Sequence, residues 1–444
     1  MGNAAVQAGQ RATYQAYKRS GVAWLGDVPD HWDVRRLKYT ASINDEALPE
    51  TTDPDYEFAY ADIGNVDADK GIMATETYRF EDAPSRARRI VREGDTIVST
   101  VRTYLRAIAP IHNADGNLVV STGFAVVRPW KLDPGYLSYA LRAPFFVETV
   151  VSLSTGVSYP AINAPEVGNI YVTLPLPDEQ KAIAAFLDRE TARIASLIEK
   201  KQRQIELLQE KRAALISRAV TKGLDPDAPM KDSGIDWLGQ IPAHWDVRRL
   251  KHTATINDEV LPETTDPDYE LTYVDIGNVD ASKGIVSTEL YRFENAPSRA
   301  RRIVRDGDTI VSTVRTYLRA IASIRGPADN LIVSTGFAVV RPRSFDPGYL
   351  SYSLRSPFFV ETVVSRSTGV SYPAINASEV GNIFIVIPPP SEQKAVAAFL
   401  DRETARIEEL IEKVDGSITL LREYRTALIS AAVTGKINVR KEGL

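Results

Sequence analysis

Seven arginines between positions 79 and 106 are the side chains of this sequence best suited to binding chemistry: Arg79, Arg86, Arg88, Arg89, Arg92, Arg102 and Arg106. They stand against only four acids, Glu81, Asp82, Glu93 and Asp95, and no lysine is among them. Guanidinium forks match phosphate and guanine edges in two-point geometry better than an ammonium does. Ser99, Thr100, Thr103 and Tyr104 are interleaved with them, a mixture suited to groove and backbone contacts on DNA. Each arginine recurs 213 positions later. The candidate DNA contacts are therefore Arg86, Arg88, Arg89, Arg102, Tyr104 and Arg106, with Arg299, Arg301, Arg302, Arg315, Tyr317 and Arg319. The competing reading is a solvated charged face, or ion pairs with residues 44–70, which carry nine acids and one lysine.

Catalytic chemistry has little to draw on. There is no glycine-rich phosphate loop, and no cysteine to act as nucleophile or thiolate ligand. The four histidines are His31, His112, His244 and His252; only His31 and His244 correspond, each before a tryptophan, which suits packing better than metal ligation. The run PDEQK at 177–181 has the residue types of a nuclease carboxylate–lysine motif. Its counterpart reads PSEQK, however, and both open a helix, where an early glutamate is an ordinary feature. The amino-methyltransferase tetrapeptides Asp-Pro-Pro-Tyr and Asn-Pro-Pro-Phe are also missing. The expectation is a chain that catalyses nothing by itself and binds neither metal nor cofactor.

The elements that must position the arginines come twice. Residues Lys18 to Leu224 recur without a gap, with about three quarters of the aligned pairs identical. A repeat this long is a duplicated domain rather than a solenoid of small units. The stretches TIVSTVRTYLRAIAPI and NLVVSTGFAVVRP read as strands, and GYLSYALRAPFFVETVV as helix. The fold class expected is α+β, with a curved, mostly antiparallel sheet in each copy. About forty residues from Asp178 then hold no Gly or Pro, and their apolar positions follow helical spacing: Ile183, Phe186, Leu187, Ile194, Leu197, Ile198, Ile205, Leu208, Leu215 and Ile216. The second copy keeps this seam but admits Gly416. Boundaries expected are a loose tail over 1–17, domain 18–177, helix 178–220, linker 221–236, domain 237–390, helix 391–433 and a tail over 434–444. Antiparallel pairing of the helices would bury both seams. Each would span about 60 Å at about 1.5 Å per residue, under two turns of B-DNA at about 34 Å each.

Bulk properties agree with two ordinary globular domains. The chain has 444 residues, 25% of them charged, and a net charge of −5 that the acidic stretch alone explains. That sum argues weakly against a nucleic-acid partner, but the distribution of charge counts for more. No apolar run is long enough to span a bilayer, and the absence of cysteine fits a reducing cytoplasm.

IVSTVRTYLRAIA, STGFAVVRP, STGVSYPAIN and LPLPDEQKAIAAFLDRETARI, in order and twice with small changes, make the chain resemble the specificity subunit of a type I restriction–modification system. The resemblance covers nearly the whole sequence beyond its first seventeen residues or so. It implies two target recognition domains on double-stranded DNA, separated by an antiparallel pair of spacer helices. It implies docking of two modification subunits that carry S-adenosylmethionine and the adenine-N6 methyltransferase motifs, with motor–nuclease subunits joining for restriction. Thr155, Gly156, Tyr159 and Pro160 fall in a family-like segment that could serve a turn or touch DNA. Arg189, Arg193, Lys200 and Arg203 are candidate docking positions on the helix. One departure sharpens the expectation: such subunits usually carry two different recognition domains, and here the copies are nearly equal. An antiparallel tandem repeat would then read an inverted repeat around a fixed spacer. HNADG at 112–116 against RGPAD at 325–329, Trp130 against Arg343, and Leu153 against Arg366 are the notable differences. A free-standing DNA-binding regulator and a protein-only scaffold are the competing classes.

Overall fold

The computed structural model describes residues 12–67, 70–112 and 116–441. It divides into two compact units that do not follow the tandem order of the sequence. Unit 1 takes residues 1–202 with 415–444, and unit 2 takes 203–414. Each unit therefore holds one copy of the domain, part of the helix that follows it, and part of the helix that follows the other copy.

In unit 1 the expected curved sheet is two four-stranded sheets. One is antiparallel, in the order Ile108–Pro110, Thr96–Ser99, Phe124–Pro129, Ala41–Ile43. The other runs Glu76–Arg79, Glu57–Ala61, Leu118–Ser121, Ala87–Ile90, and its central pair is parallel. NLVVSTGFAVVRP, read as one strand-like stretch, thus feeds both sheets, breaking at Thr122–Gly123. Gly123 lets the chain pass close there: a Cβ would sit 2.8 Å from Ile63 Cδ1 and 3.0 Å from Val101 Cγ2, so those side chains would have to shift. Ala61 and Val120 from one sheet pack with Ile97, Ala109 and Val126 from the other. The residues read as one helix become α1 (Pro134–Arg142) and α2 (Pro144–Leu153), because proline cannot continue the first helix. A short helix α3 (Ala164–Asn169) and the strand Tyr171–Leu174 lead into the long helix α4, Pro177–Lys222.

Unit 2 repeats this plan with α5 (Pro347–Arg355), α6 (Pro357–Arg366), α7 (Ala377–Gly381) and the long α8, Pro390–Val433. Gly416 does not interrupt α8. Within each unit the two helical segments run antiparallel over the domain core. In unit 1, Ile183, Phe186, Leu187 and Ile194 of α4 share a cluster with Leu428, Ile429, Ala432 and Val433 of α8, together with Trp32, Tyr136 and Phe146. In unit 2, Ile216, Ala219 and Val220 of α4 join Val396 and Leu400 of α8 with Tyr349 and Phe359. The end of each helix is fixed by a buried tyrosine: Tyr136 Oη donates to Val433 O at 3.2 Å, and Tyr349 Oη to Val220 O at 3.1 Å. Of the seam positions, Leu197 and Leu410 are exposed, while Val414, which the spacing passed over, is buried.

The described part of the expected N-terminal tail is not loose. Tyr14 is buried, Tyr17–Arg19 pairs antiparallel with Asp27–Pro29, and Ala12 O accepts from Asn438 N at 2.7 Å. Residues 113–115 of the HNADG stretch lie outside the described residues.

Candidate nucleic-acid interface

The stretch TVRTYLRA, read as strand, is the most constrained backbone in each unit. After the strand Thr96–Ser99 the chain makes a 3-10 turn, Thr103–Leu105, between two arginines in the left-handed region: Arg102 at φ 50° and Arg106 at φ 53°. Arg315 and Arg319 take φ 50° and 53° in unit 2. A non-glycine residue there costs about 1–2 kcal/mol, so surrounding bonds must enforce it. They do: Ser99 Oγ donates to Val101 O at 2.6 Å, and Thr100 Oγ1 to Gly123 O at 2.9 Å. Thr103 Oγ1 also donates to Ser154 Oγ at 2.8 Å.

That last bond ties the turn to a second loop, the STGVSYPA segment. Thr155 and Ala161 exchange backbone hydrogen bonds of 2.9 Å and 2.9 Å, closing a loop whose tip carries Val157 and Tyr159 in solvent. Gly156 holds φ 109°, and a Cβ on it would meet Tyr159 O at 3.2 Å. The Arg102 guanidinium lies 5.1 Å from the centroid of the Tyr159 ring, and Arg315 lies 5.1 Å from that of Tyr372. The two loops are thus one tip, with an arginine stacked on an aromatic face at its side.

Arg86 and Arg299 reach the same place from another element. Thr122 N donates to Arg86 O and Thr335 N to Arg299 O, each at 2.8 Å, beside the glycine that closes the floor. In unit 2 one cleft is lined by Arg299, Arg315, Thr335, Val314, Gly336 and Tyr372. Two guanidinium groups, a threonine and an aromatic ring facing one open cleft can hold an anionic backbone and present donors to a base edge.

The other sequence candidates divide. Tyr104 and Tyr317 are exposed on the same turn. Arg88 lies over Phe80, 4.6 Å from the ring centroid, and donates to Ala87 O at 3.0 Å; Arg301 does the same over Phe293. Arg89 and Arg302 are half-buried in their strands, and each has a buried Nε without a hydrogen-bond partner. Burial lowers the Arg302 pKa. Arg106 and Arg319 pair with Glu148 and Glu361 at 2.7 Å and 2.6 Å, in solvent.

Two further arginines of the basic stretch answer to the acidic one. Arg79 pairs with Asp55 at 3.5 Å, and Arg92 with Glu46 at 2.7 Å. Glu46 also meets Arg128, whose fork grips the buried Asp95 at 2.9 Å and 2.8 Å. The hydrogen bond from Arg92, then that from Arg128, outweigh burial and lower the Glu46 pKa to about 2. Glu259 is lowered for the same reasons by Arg305 and Arg341. Sequence reasoning missed Arg128 and Arg341, which sit in the repeated FAVVRP segment, and left Tyr159 and Tyr372 between turn and contact.

The PDEQK run also acquires a role. Glu179 accepts from Trp32 Nε1 at 3.1 Å, lies 2.9 Å from His31 Nε2, and pairs with Arg440 at 2.6 Å. Gln180 Oε1 accepts from Asp133 N at 2.6 Å, while its amide donates to Pro175 O at 2.8 Å. These groups splice the helix start onto the domain. Among the described residues no group of three His, Cys, Asp or Glu could hold a metal ion, and no helix is long and apolar enough to cross a membrane.

Residues 29–207 match the model of the type I restriction modification DNA specificity domain. Over 433 residues the chain is 24% identical to a putative type I restriction enzyme MjaX specificity subunit of Methanocaldococcus jannaschii, covering 94% of this chain and 96% of that one. It is 26% identical over 317 residues to the MjaVIII specificity subunit of the same organism, covering 70% and 71%. Among solved structures, a chain from work on complex assembly and conformational transition of the type I R-M system superposes with a TM-score of 0.72 at 23% identity, over 91% of this chain and 98% of that one. The HsdS subunit from Thermoanaerobacter tengcongensis superposes at 0.53, also at 23% identity, over 92% and 98%.

Proposed function

We propose that the chain is a DNA specificity subunit of a type I restriction–modification system, and that its two units read DNA as follows. It recognises a DNA sequence for such a system and is not itself the catalyst. Each unit reads one half of a split site with the tip that joins the Arg102 turn to the Tyr159 loop, or the Arg315 turn to the Tyr372 loop. The observation that carries this reading is that the strained arginine and its aromatic platform recur in both units with the same geometry, with Arg299 lining the same cleft in unit 2. Strain held in place by several hydrogen bonds marks a functional site more often than a packing one.

Because the units are nearly equal, the site is an inverted repeat: two identical or nearly identical half-sites around a degenerate spacer. Adenine-N6 methylation and restriction belong to partner subunits. Two modification subunits carry S-adenosylmethionine, and motor–nuclease subunits join them for cleavage. Co-expression with the modification subunit in an unmethylated host, followed by genome-wide mapping of N6-methyladenine, tests this. A palindromic split motif is expected. An asymmetric motif would refute the equal half-sites, and a complex that methylates nothing would refute the directing role.

A further inference from the structure

The duplicated units differ sharply at one place, beneath the histidine–tryptophan pair that anchors each long helix. In unit 1 two segments of the chain itself cover it. Ile437 and Val439 are buried there, Tyr14 packs 5.6 Å from the Trp32 ring centroid, and Arg440 pairs with Glu179 at 2.6 Å. The Glu179 side chain is only 1% exposed as a result. Asn438 N bonds Ala12 O at 2.7 Å, and Tyr17 Oη donates to Gly435 O at 3.1 Å, so the covering is hydrogen-bonded as well as apolar.

Unit 2 has the same floor without the cover. His244 and Trp245 bond Glu392 at 2.7 Å and 2.9 Å, matching His31 and Trp32 on Glu179. Yet the Glu392 side chain is 40% exposed, and Leu224, the counterpart of Ile437, is 42% exposed. A groove remains, lined chiefly by Leu224, Pro242, His244, Glu392, Ala395 and Val396, with Lys222 and Asp225 at its edge. The cause is connectivity, because one segment, residues 221–230, stands where unit 1 has two. In unit 2 the sequence LDPDAP passes straight from α4 to the entry strand Met230–Asp232. Asp227 occupies the position that Tyr14 and Arg440 both align with, so no arginine and no aromatic ring return over the glutamate.

We propose that this groove is the docking site of an extended segment of another protein, one that places an arginine on Glu392 and an aliphatic side chain on Leu224 and Val396. The occupant is defined by what unit 1 adds over the equivalent floor, the buried Val439 and the Arg440 that pairs with Glu179, where unit 2 has Pro226 and Asp227. Charge agrees, since Asp225 and Asp227 add two acids near Glu392 where unit 1 has Asn438 and Arg440. Docking is therefore one per chain despite the duplication, and it does not depend on DNA.

The test is fluorescence anisotropy of a labelled peptide, TGKINVRKEGL, the sequence of residues 434–444, titrated with the full chain without DNA. Saturable one-to-one binding is expected, weakened about tenfold or more by Glu392→Gln or by a peptide carrying R440Q, since a charge-assisted hydrogen bond is lost. Ala395→Phe, at an exposed helix position that tolerates substitution, should block the groove by bulk and weaken binding as much. Absence of saturable binding would overturn the proposal. So would binding that survives both variants but is lost in Glu179→Gln, which would mean the peptide merely exchanges into unit 1.

Discussion

Arg102 and Arg315 carry left-handed backbone that neither strand nor turn propensity asks for, so substitutions there test the proposed DNA contact and the fold separately. Arg102→Ala should cost about 1–3 kcal/mol at one base of one half-site if the fork reads a base, or weaken all sequences alike if it holds phosphate. Arg315→Ala should affect the other half-site only, so each variant carries its own control, read as the change in methylated motif. Arg102→Gly should weaken DNA binding similarly while raising the melting temperature, because glycine relieves about 1 kcal/mol of strain. By contrast, Arg106→Ala removes a pair with Glu148 in which both side chains are more than half exposed. Its effect on stability should stay below about 1 kcal/mol. Glu46 gives a pH signature: its pKa is held at about 2, below its usual 4.5, so it stabilises the fold above the unfolded value and loses that contribution as pH falls through the folded one. Melting temperature should fall from pH 4.5 towards pH 2, and Glu46→Gln should flatten that slope.

The long helices show two glycines with opposite roles. Gly416 sits in the middle of α8 with nothing within 4 Å of where a Cβ would be. Gly416→Ala should therefore stabilise by about 0.5–1 kcal/mol, seen as a higher urea midpoint. Gly435 ends α8 at φ 71°, and a methyl there would drive into the Pro29 ring and approach Trp32. Gly435→Ala should destabilise by about 1–3 kcal/mol, as overpacking does, with the change localised to unit 1 by hydrogen exchange. The seam itself was legible because Ile183, Phe186, Leu187 and Ile194 follow helical spacing without interruption. Leu197 fits that spacing and is exposed, because the pattern fixes a face of the helix but not where a neighbour covers it.

At the scale of the molecule, the division into units departs from the order of the sequence. Each domain is completed by the end of the helix that follows the other copy, through Val433 on Tyr136 and Val220 on Tyr349. Shortening α8 from its C-terminal side should therefore expose the core around Trp32 in the first copy rather than the second. Trp32→Phe and Trp245→Phe variants, each used to isolate the fluorescence of the remaining tryptophan set, would report which core opens. An exposed second core with an intact first would contradict this exchange.

The sequence alone determined the duplication, the long helices, the absence of catalytic motifs and the arginine stretch, since composition, period and spacing are local properties. It also singled out the segments around Arg102 and Tyr159, though it read the first as strand where the chain makes a 3-10 turn. What it left open was which arginines remain available. Arg79, Arg92 and Arg106 pair with carboxylates 24, 46 and 42 residues away. Arg315 and Arg299 line one cleft only because one strand-like segment breaks at Gly336 and another at Arg315. Ion pairs between distant positions, and the close approach of Ile63 to Gly123 across the core, have no local signature, so they became decidable only when the two sheets of each unit were packed together.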